Sequence, residues 1–201
     1  SKFITVAQAA SKTMHEYAAA FPMGVPVIAS ACYTDPISEM ADRTTGYGNL
    51  CPTYAFGTQV AEVEVDTDTG QVTVLHVIAA QDVGKAINPM AIEGQLEGSI
   101  SQGIGFALTE QIIWENGVVR NPKLSAYNLP TPLDHSKVTS ILIETNDPAG
   151  PFGAKGIGEA GLIPTAGAIA NAIYDAVGVR IRELPITADK VLDALEKNQQ
   201  Q

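Results

Sequence analysis

Apolar residues recur at helical spacing along much of the chain. Side chains that are apolar every three or four positions predict four helices with one buried face each, at 4–20, 90–110, 159–177 and 188–197. The second of these carries a predicted buried stripe of Ile92, Leu96, Ile100, Ile104 and Leu108. Its predicted polar and small edge is formed by Gln95, Gly98, Gln102, Gly103 and Gly105.

Other segments show the spacing of strands. Apolar and polar residues alternate on both sides of Thr67-Asp-Thr-Gly70, which predicts a β-hairpin over 56–81. Further strands are predicted at 27–33 and 138–143, with a tight turn at Asn116-Gly117 and a loop at 34–52. We therefore expect an α+β fold in which several helices cover a mixed β-sheet.

Composition limits the class of protein. The chain has 201 residues, of which 45% are hydrophobic, so it can bury a core as one domain over 1–201 or as a module of a larger assembly. A net charge of −10 argues against nucleic acid and anionic membranes as partners, because both attract basic surfaces. No apolar run approaches the roughly 18 residues of a membrane span, and no signal segment opens the chain. These features predict a soluble, cytoplasmic protein.

Cysteine and histidine show no metal-binding spacing. Cys32 and Cys51 lack the C-x-x-C pattern, and we expect both to be reduced packing residues. His15, His76 and His135 are scattered, and we interpret them as packing or surface residues. We therefore expect no metal ligand among the protein side chains.

Residues 150–161, here called the glycine loop, place Glu159 among five glycines. Glycine allows unusual backbone conformations and close approach of the backbone to a ligand. If the next helix begins at Glu159, its unpaired N–H groups and positive dipole end lie at the same place. The pattern favours a loop that holds a general base against a bulky ligand.

Two other interpretations of the glycine loop stay open. The segment from Gly156 to Gly161 matches the G-x-G-x-x-G of a dinucleotide-binding βαβ unit, with a possible second strand at 179–184. The preceding strand ends far upstream, however, and Glu159 would direct a negative charge at a pyrophosphate. A plain glycine-rich turn, with Glu159 compensating the helix dipole, also fits the residues. A P-loop does not fit, because Gly156 follows Lys155 where that motif needs Ser or Thr.

Three other polar side chains are candidates for the site. Lys155 could pair with Glu159, bind a phosphate or remain a solvated flank of the loop. Gln95 and Gln102 lie seven residues apart and so share one helical face, where their amides offer both donors and acceptors to a ligand. Asp82 is expected to order the loop that follows it.

Several blocks of sequence together resemble the molybdenum hydroxylases, the xanthine dehydrogenase and aldehyde oxidase family. The block Ala154-Lys-Gly-Ile-Gly-Glu-Ala-Gly161 resembles the family's active-site motif. Further blocks keep the family's order, at 56–70, 82–89, 94–98, 102–105, 127–131 and 183–195. The resemblance covers about residues 45–197, and it implies the second molybdopterin-binding domain of that family, at the C-terminal end of a larger molybdenum subunit.

The resemblance also implies roles for individual residues. Glu159 takes the place of the family's catalytic glutamate, which acts as a general base. Gln95 matches the glutamine that contacts the pterin, and Gln102 and Gly103 lie beside it. Lys155, Gly156 and Gly158 are expected to contact the cofactor from the glycine loop.

The implied reaction is hydroxylation of a purine such as xanthine, or of a related heterocycle or aldehyde, with oxygen from water. The implied cofactor is a molybdenum-molybdopterin, which can carry a cytosine nucleotide. An iron–sulfur cluster of the 2Fe-2S type and FAD are expected on partner subunits or domains. Because the chain matches only the end of the family's molybdenum subunit, we expect it to be inactive alone. A non-catalytic interaction module is the alternative.

Overall fold

The computed structural model describes residues 30–32, 39–51 and 53–199. The chain divides into two compact units, Ser1–Thr34 and Asp35–Gln201, and every element described below belongs to the second. The helix predicted at 4–20 lies outside the described residues. Only residues 30–32 of the strand predicted at 27–33 are described, and they are not in a strand. A single domain over 1–201 stays a prediction.

The elements follow one another in the order β1 (Gly57–Val65), β2 (Val72–Asp82), α1 (Pro89–Leu108), β3 (Trp114–Glu115), β4 (Val118–Val119), α2 (Leu124–Tyr127), β5 (Lys137–Ile143), a 3-10 turn (Pro151–Gly153), α3 (Thr165–Val177) and α4 (Ala188–Gln199). The predicted loop contains no helix or strand over its described residues, 39–51.

The central sheet is mixed, as predicted. Strands β1 and β2 form the expected antiparallel hairpin, and β5 pairs with β2 in parallel, so the strand order is β1-β2-β5. The parallel pairing brings the carboxyl ends of β2 and β5 to the same edge, since Asp82 lies opposite Ile143. The segments that follow both strands therefore start side by side. The predicted turn at Asn116-Gly117 joins the short hairpin β3-β4.

Helix α1 begins where local chemistry favours a helix start. The Asn88 side chain accepts a hydrogen bond from the Ala91 N–H at 3.2 Å, and Pro89 occupies the first turn. Four residues of the predicted stripe are buried, and the fifth, Leu108, is half-buried. The predicted polar edge was wrong for Gly103 and Gly105, which are both buried against other parts of the chain.

Helix α3 begins at Thr165, six residues later than predicted. Residues 159–164 form turns, in which the Leu162 N–H bonds to the Glu159 carbonyl at 3.0 Å, and the first α-helical bond runs from Ala168 to Pro164 at 2.9 Å. Proline lacks an N–H and disfavours helical conformation in the residue before it, so Pro164 delays the helix. Glu159 consequently does not lie at the helix N-terminus, and the dipole argument for it was wrong.

The core lies between one face of the sheet and helices α1 and α3. Val77, Ile100, Ile169 and Ile173 are at most 1% exposed, and Val191 of α4 joins the same cluster. Cys32 and Cys51, which were expected to be packing residues, are both exposed. Among the described residues no helix is both long and apolar enough to cross a membrane.

Candidate functional site

The glycine loop is attached to the carboxyl end of β2. The Lys155 N–H donates to the Val83 carbonyl at 3.0 Å, and the Asp147 N–H donates to the Gly153 carbonyl at 2.9 Å. Gly84 adopts φ +65°, and a Cβ there would lie 2.3 Å from the Gly153 oxygen. Only glycine allows both that conformation and that approach, so Gly84 lets the two segments touch.

Helix α1 holds the middle of the same loop. The Gln95 amide nitrogen lies 3.4 Å from the Ile157 oxygen and 3.3 Å from the Gly158 oxygen. Ser99, one turn further along α1, donates to the Gly158 oxygen at 3.4 Å. Helix α1 and the glycine loop were both predicted to contact the cofactor. Gln95 of α1 directly contacts the loop that carries Glu159.

The end of the loop is anchored in the core. The Gln59 amide donates to the Gly161 oxygen at 2.5 Å, and the Thr165 hydroxyl donates to the Gln59 amide oxygen at 2.8 Å. A Cβ on Gly161 would lie 2.9 Å from Leu96, and one on Gly103 would lie 2.5 Å from Thr165. Gly103 thus permits α1 and α3 to pack closely. It is buried, whereas Gln95, Gln102, Gly156 and Gly158, which were also predicted to contact the cofactor, are exposed. Its cofactor role stays a prediction without support from its position.

Glu159 itself projects into solvent. Its side chain is exposed and forms no hydrogen bond or ion pair with any residue that the structure describes. Its position therefore depends on the backbone anchors on either side, at Lys155 and Gly161. A carboxylate presented in this way is accessible to a bound molecule.

Four glycines leave an open surface next to Glu159. Gly94 and Gly98 of α1 and Gly156 and Gly158 of the loop are exposed, and a Cβ at any of them would meet nothing within 4 Å. None has the positive φ that favours glycine. In a helix, glycine is about 1 kcal/mol less favourable than alanine, and no packing against the described residues accounts for glycine at 94 and 98.

This open surface fits a pterin cofactor. Exposed backbone without side chains allows a flat ring system to approach closely, and the exposed amides of Gln95 and Gln102 supply donors and acceptors at its edge. Gln102 lies two turns from Gln95 on the exposed side of α1. The residues present are thus compatible with the group that the sequence resemblance implies.

A buried ion pair between Asp82 and Lys155 supports the start of the loop. The Lys155 ammonium lies 2.7 Å from Asp82 Oδ2, and the two side chains are 9% and 6% exposed. Asp82 Oδ1 accepts hydrogen bonds from the Gly84 N–H at 2.9 Å and from the Thr145 hydroxyl at 2.8 Å. Lys155 also donates to the Tyr54 carbonyl at 2.8 Å.

Sequence reasoning missed this pair. Lys155 bonds to Asp82 rather than to Glu159, and it is not a solvated flank, so both of those interpretations were wrong. The prediction that Asp82 orders its following loop is confirmed by its bond to Gly84. The partners lie 73 residues apart in the sequence. The only sign of the pair in the sequence was a single acidic residue, Asp82, at the end of a predicted strand. The cofactor contact predicted for Lys155 is untested.

The electrostatics of Asp82 follow from its surroundings. Burial raises the pKa of Asp82, but the hydrogen bonds from Lys155, from Gly84 N–H and from Thr145 outweigh burial, so the pKa lies below its ordinary value. Asp82 is consequently ionised at neutral pH and compensates the buried ammonium.

The dinucleotide interpretation of the glycine loop was wrong. Residues 179–184, proposed as the second strand of a βαβ unit, form no strand. Among the described residues no group of three His, Cys, Asp or Glu side chains could hold a metal ion. His76 bonds to Thr139 at 2.9 Å and His135 bonds to Ser101 at 2.6 Å, while His15 lies outside the described residues.

Comparisons with known proteins agree with this geometry. The family model described as "Molybdopterin cofactor-binding domain" matches residues 1–136. The xanthine dehydrogenase molybdenum-binding subunit of Escherichia coli O157:H7 is 39% identical over 69% of this chain and 19% of its own length. The aldehyde oxidoreductase molybdenum-binding subunit PaoC of Escherichia coli K12 is 36% identical over 77% of this chain and 22% of its own length.

A solved structure shows the same fold. The aldehyde oxidoreductase from Desulfovibrio gigas superposes with a TM-score of 0.71 at 37% identity, covering 79% of this chain and 17% of that one. The chain belongs to the molybdopterin cofactor-binding domain family, within the molybdenum hydroxylases. It spans about a fifth of the length of the relatives described here. Glu159 lies beyond the residues that the family model matches.

The Asp82→Asn substitution is expected to lower the free energy of unfolding at pH 7 by about 3–5 kcal/mol, because it leaves the buried Lys155 ammonium without a counter-charge. The folded-state pKa of Asp82 is depressed, so its stabilisation is present above the unfolded pKa of about 3.9 and is lost as the pH falls through the folded value. The difference between wild type and variant should therefore shrink below about pH 3.9.

Urea denaturation followed by circular dichroism across this pH range measures the effect. Glu144→Gln is the matched control, since it breaks the exposed ion pair with Lys85, whose side chains are 46% and 37% exposed. That control should lose at most about 1 kcal/mol. Equal losses from the two variants would contradict the structural role assigned to Asp82.

Proposed function

We propose that the chain supplies part of the molybdopterin site of a hydroxylase, with Glu159 as the general base. The observation that supports this proposal is an exposed carboxylate that pairs with no described residue, on a loop that is anchored on both sides and lies beside an open glycine surface. A base has to be accessible to the reacting atoms and held in place, and the geometry of Glu159 meets both needs.

The cofactor would lie against the exposed glycines of α1 and of the glycine loop. Gln95 and Gln102 would hold it through their amides, and Gly156 and Gly158 would allow its close approach. Gln95 already donates to two loop carbonyls, so it would also hold the cofactor in a fixed position relative to the glycine loop. We include the cytosine dinucleotide form of the pterin in this proposal.

Hydroxylation converts a C–H bond and water into a C–OH bond, two protons and two electrons. The bound molybdenum pterin would supply activation of the oxygen and acceptance of the electron pair. Glu159 would accept one of the protons on a carboxylate oxygen. The Asp82–Lys155 pair and the Gln59–Gly161 bond would hold that carboxylate at a fixed place.

We propose a purine such as xanthine as the first substrate class, with related heterocycles and aldehydes as the next. Support comes from the names of two relatives, one a xanthine dehydrogenase subunit and the other an aldehyde oxidoreductase subunit. Groups that orient the substrate would come from other parts of the molybdenum subunit.

The chain would act as one part of a larger, cytoplasmic enzyme. Because it spans about a fifth of its relatives, the rest of the site would come from the remaining domains of the molybdenum subunit. Electrons would leave through 2Fe-2S and FAD groups on partner subunits or domains. The chain alone would be inactive.

Glu159→Gln should lower kcat of the assembled hydroxylase roughly 10²- to 10⁴-fold, because the amide cannot accept the proton. Molybdenum content should stay at the wild-type level, since the side chain contacts no described residue. Steady-state kinetics with xanthine and with an aldehyde, together with metal analysis, measure both quantities. Glu196→Gln, at an exposed position on α4, is the control. Turnover within about tenfold of wild type would remove Glu159 from the role of base, and full activity would favour the non-catalytic interaction module.

Gln95→Ala should lower the pterin content of the assembled enzyme several-fold, because it removes the proposed amide contact to the pterin together with the hydrogen bonds to the Ile157 and Gly158 carbonyls. The pterin can be released by oxidation and quantified by its fluorescence. Gln102→Ala, two turns along the same face, should have a smaller effect because Gln102 makes no bond to the glycine loop. Unchanged pterin content in Gln95→Ala would count against its contact role.

A further inference from the structure

We propose that the buried Asp82–Lys155 pair is a clamp that positions Glu159, and that Lys155 is a positioning residue rather than a cofactor contact. The inference rests on the proposed function for the role of Glu159, while the clamp itself rests on contacts within the chain.

The pair joins three segments that are distant in sequence. Asp82 is the last residue of β2, Lys155 belongs to the glycine loop, and Thr145 follows β5. Asp82 Oδ2 accepts a hydrogen bond from the Lys155 ammonium at 2.7 Å. Asp82 Oδ1 accepts hydrogen bonds from the Thr145 hydroxyl at 2.8 Å and from the Gly84 N–H at 2.9 Å. Loss of either charge would leave the other buried without compensation.

Lys155 is held at both of its ends. Its backbone N–H bonds to Val83 at 3.0 Å, while its ammonium bonds to Asp82 and to the Tyr54 carbonyl at 2.7 and 2.8 Å. The ammonium also lies 5.3 Å from the centre of the Phe56 ring. With its charge compensated by Asp82 and its side chain 9% exposed, Lys155 is poorly placed to reach a ligand.

The clamp lies four residues before Glu159, and the second anchor, Gly161, lies two residues after it. The Glu159 side chain bonds to no described residue, so its place is set by its backbone. That backbone is held by these two anchors, by the Gln95 and Ser99 contacts to the loop, and by the bond from the Leu162 N–H to the Glu159 carbonyl. The Gln95 and Ser99 contacts to Ile157 and Gly158 are long, at 3.3–3.4 Å, so release of the clamp would loosen the loop up to Glu159, which would then be held mainly from its Gly161 side. The predicted result is a mobile carboxylate in a protein whose core is intact.

Cleavage by a glutamyl endopeptidase after Glu159 measures this on the full chain, because proteolysis requires the loop to open around the cleaved bond. Lys155→Met should raise the initial rate of that cleavage ~10-fold or more, with cleavage after Glu97 inside α1 as the reference for global unfolding. Lys155→Arg should restore most of the protection, because it keeps the charge.

The matched control is Lys85→Met, which removes an exposed ion pair from the neighbouring loop and should leave the rate unchanged. Thr145→Val, which takes only one hydrogen bond from Asp82, replaces Lys155→Met if the latter does not fold. Unchanged cleavage after Glu159, or an equal rise after Glu97, would overturn the clamp.

The same variants in the assembled hydroxylase test the link to catalysis. Lys155→Met should lower kcat while KM stays within ~3-fold and pterin content is unchanged. Loss of pterin without faster cleavage after Glu159 would make Lys155 a cofactor contact and overturn the proposal. If the wild-type assembly carries no molybdenum pterin, the proposed function fails, and the cleavage experiment still decides whether the clamp exists.

Discussion

The contact between the end of β2 and the start of the glycine loop is the constraint on which the site depends. Gly84 and Gly153 approach closely there, and the Asp82–Lys155 pair closes the contact with two charges that are more than 90% buried. A buried pair of this kind is weak evidence for stability, because desolvation offsets much of its attraction. It is better evidence for a fixed geometry, since movement of either charge would leave the other buried without a counter-charge.

The parallel pairing of β5 with β2 makes this contact possible. In a parallel pair the carboxyl ends of both strands meet at one edge, so Thr145 after β5 and Asp82 at the end of β2 can bond to each other. The glycine loop follows β5 and returns across this edge toward α1. Polar residues of three segments therefore converge beside the exposed glycines. Ligand sites are commonly found at such strand ends.

Local signals in the sequence predicted much of the fold. The hairpin was predictable because Thr67-Asp-Thr-Gly70 interrupts two alternating runs, and α1 because Asn88 and Pro89 precede a regular apolar stripe. The start of α3 was predicted too early because apolar spacing continues through residues 159–164, where Pro164 prevents a helix. The spacing of apolar residues does not show where a proline stops a helix, so Pro164 had to be considered separately.

Nonlocal contacts could not be predicted in the same way. Glu159 and Gln95 were proposed as site residues because they lie in recognisable motifs, and the structure brings their segments together. The partner of Lys155 depends on which strands pair, so the sequence pattern favoured the nearby Glu159 over the distant Asp82. The placement of Gly103 on the polar edge of α1 was wrong for the converse reason, because a glycine that allows two helices to pack resembles, in sequence, one on an open surface.

The central proposal is that this chain forms part of a molybdopterin site. Its most direct test is the molybdenum and pterin content of the assembly that co-purifies with this chain from its native source. About one molybdenum and one pterin per copy of the chain are expected, together with the remaining parts of the molybdenum subunit. A stable assembly with neither molybdenum nor pterin, or a metal-free chain that binds no partner, would contradict it.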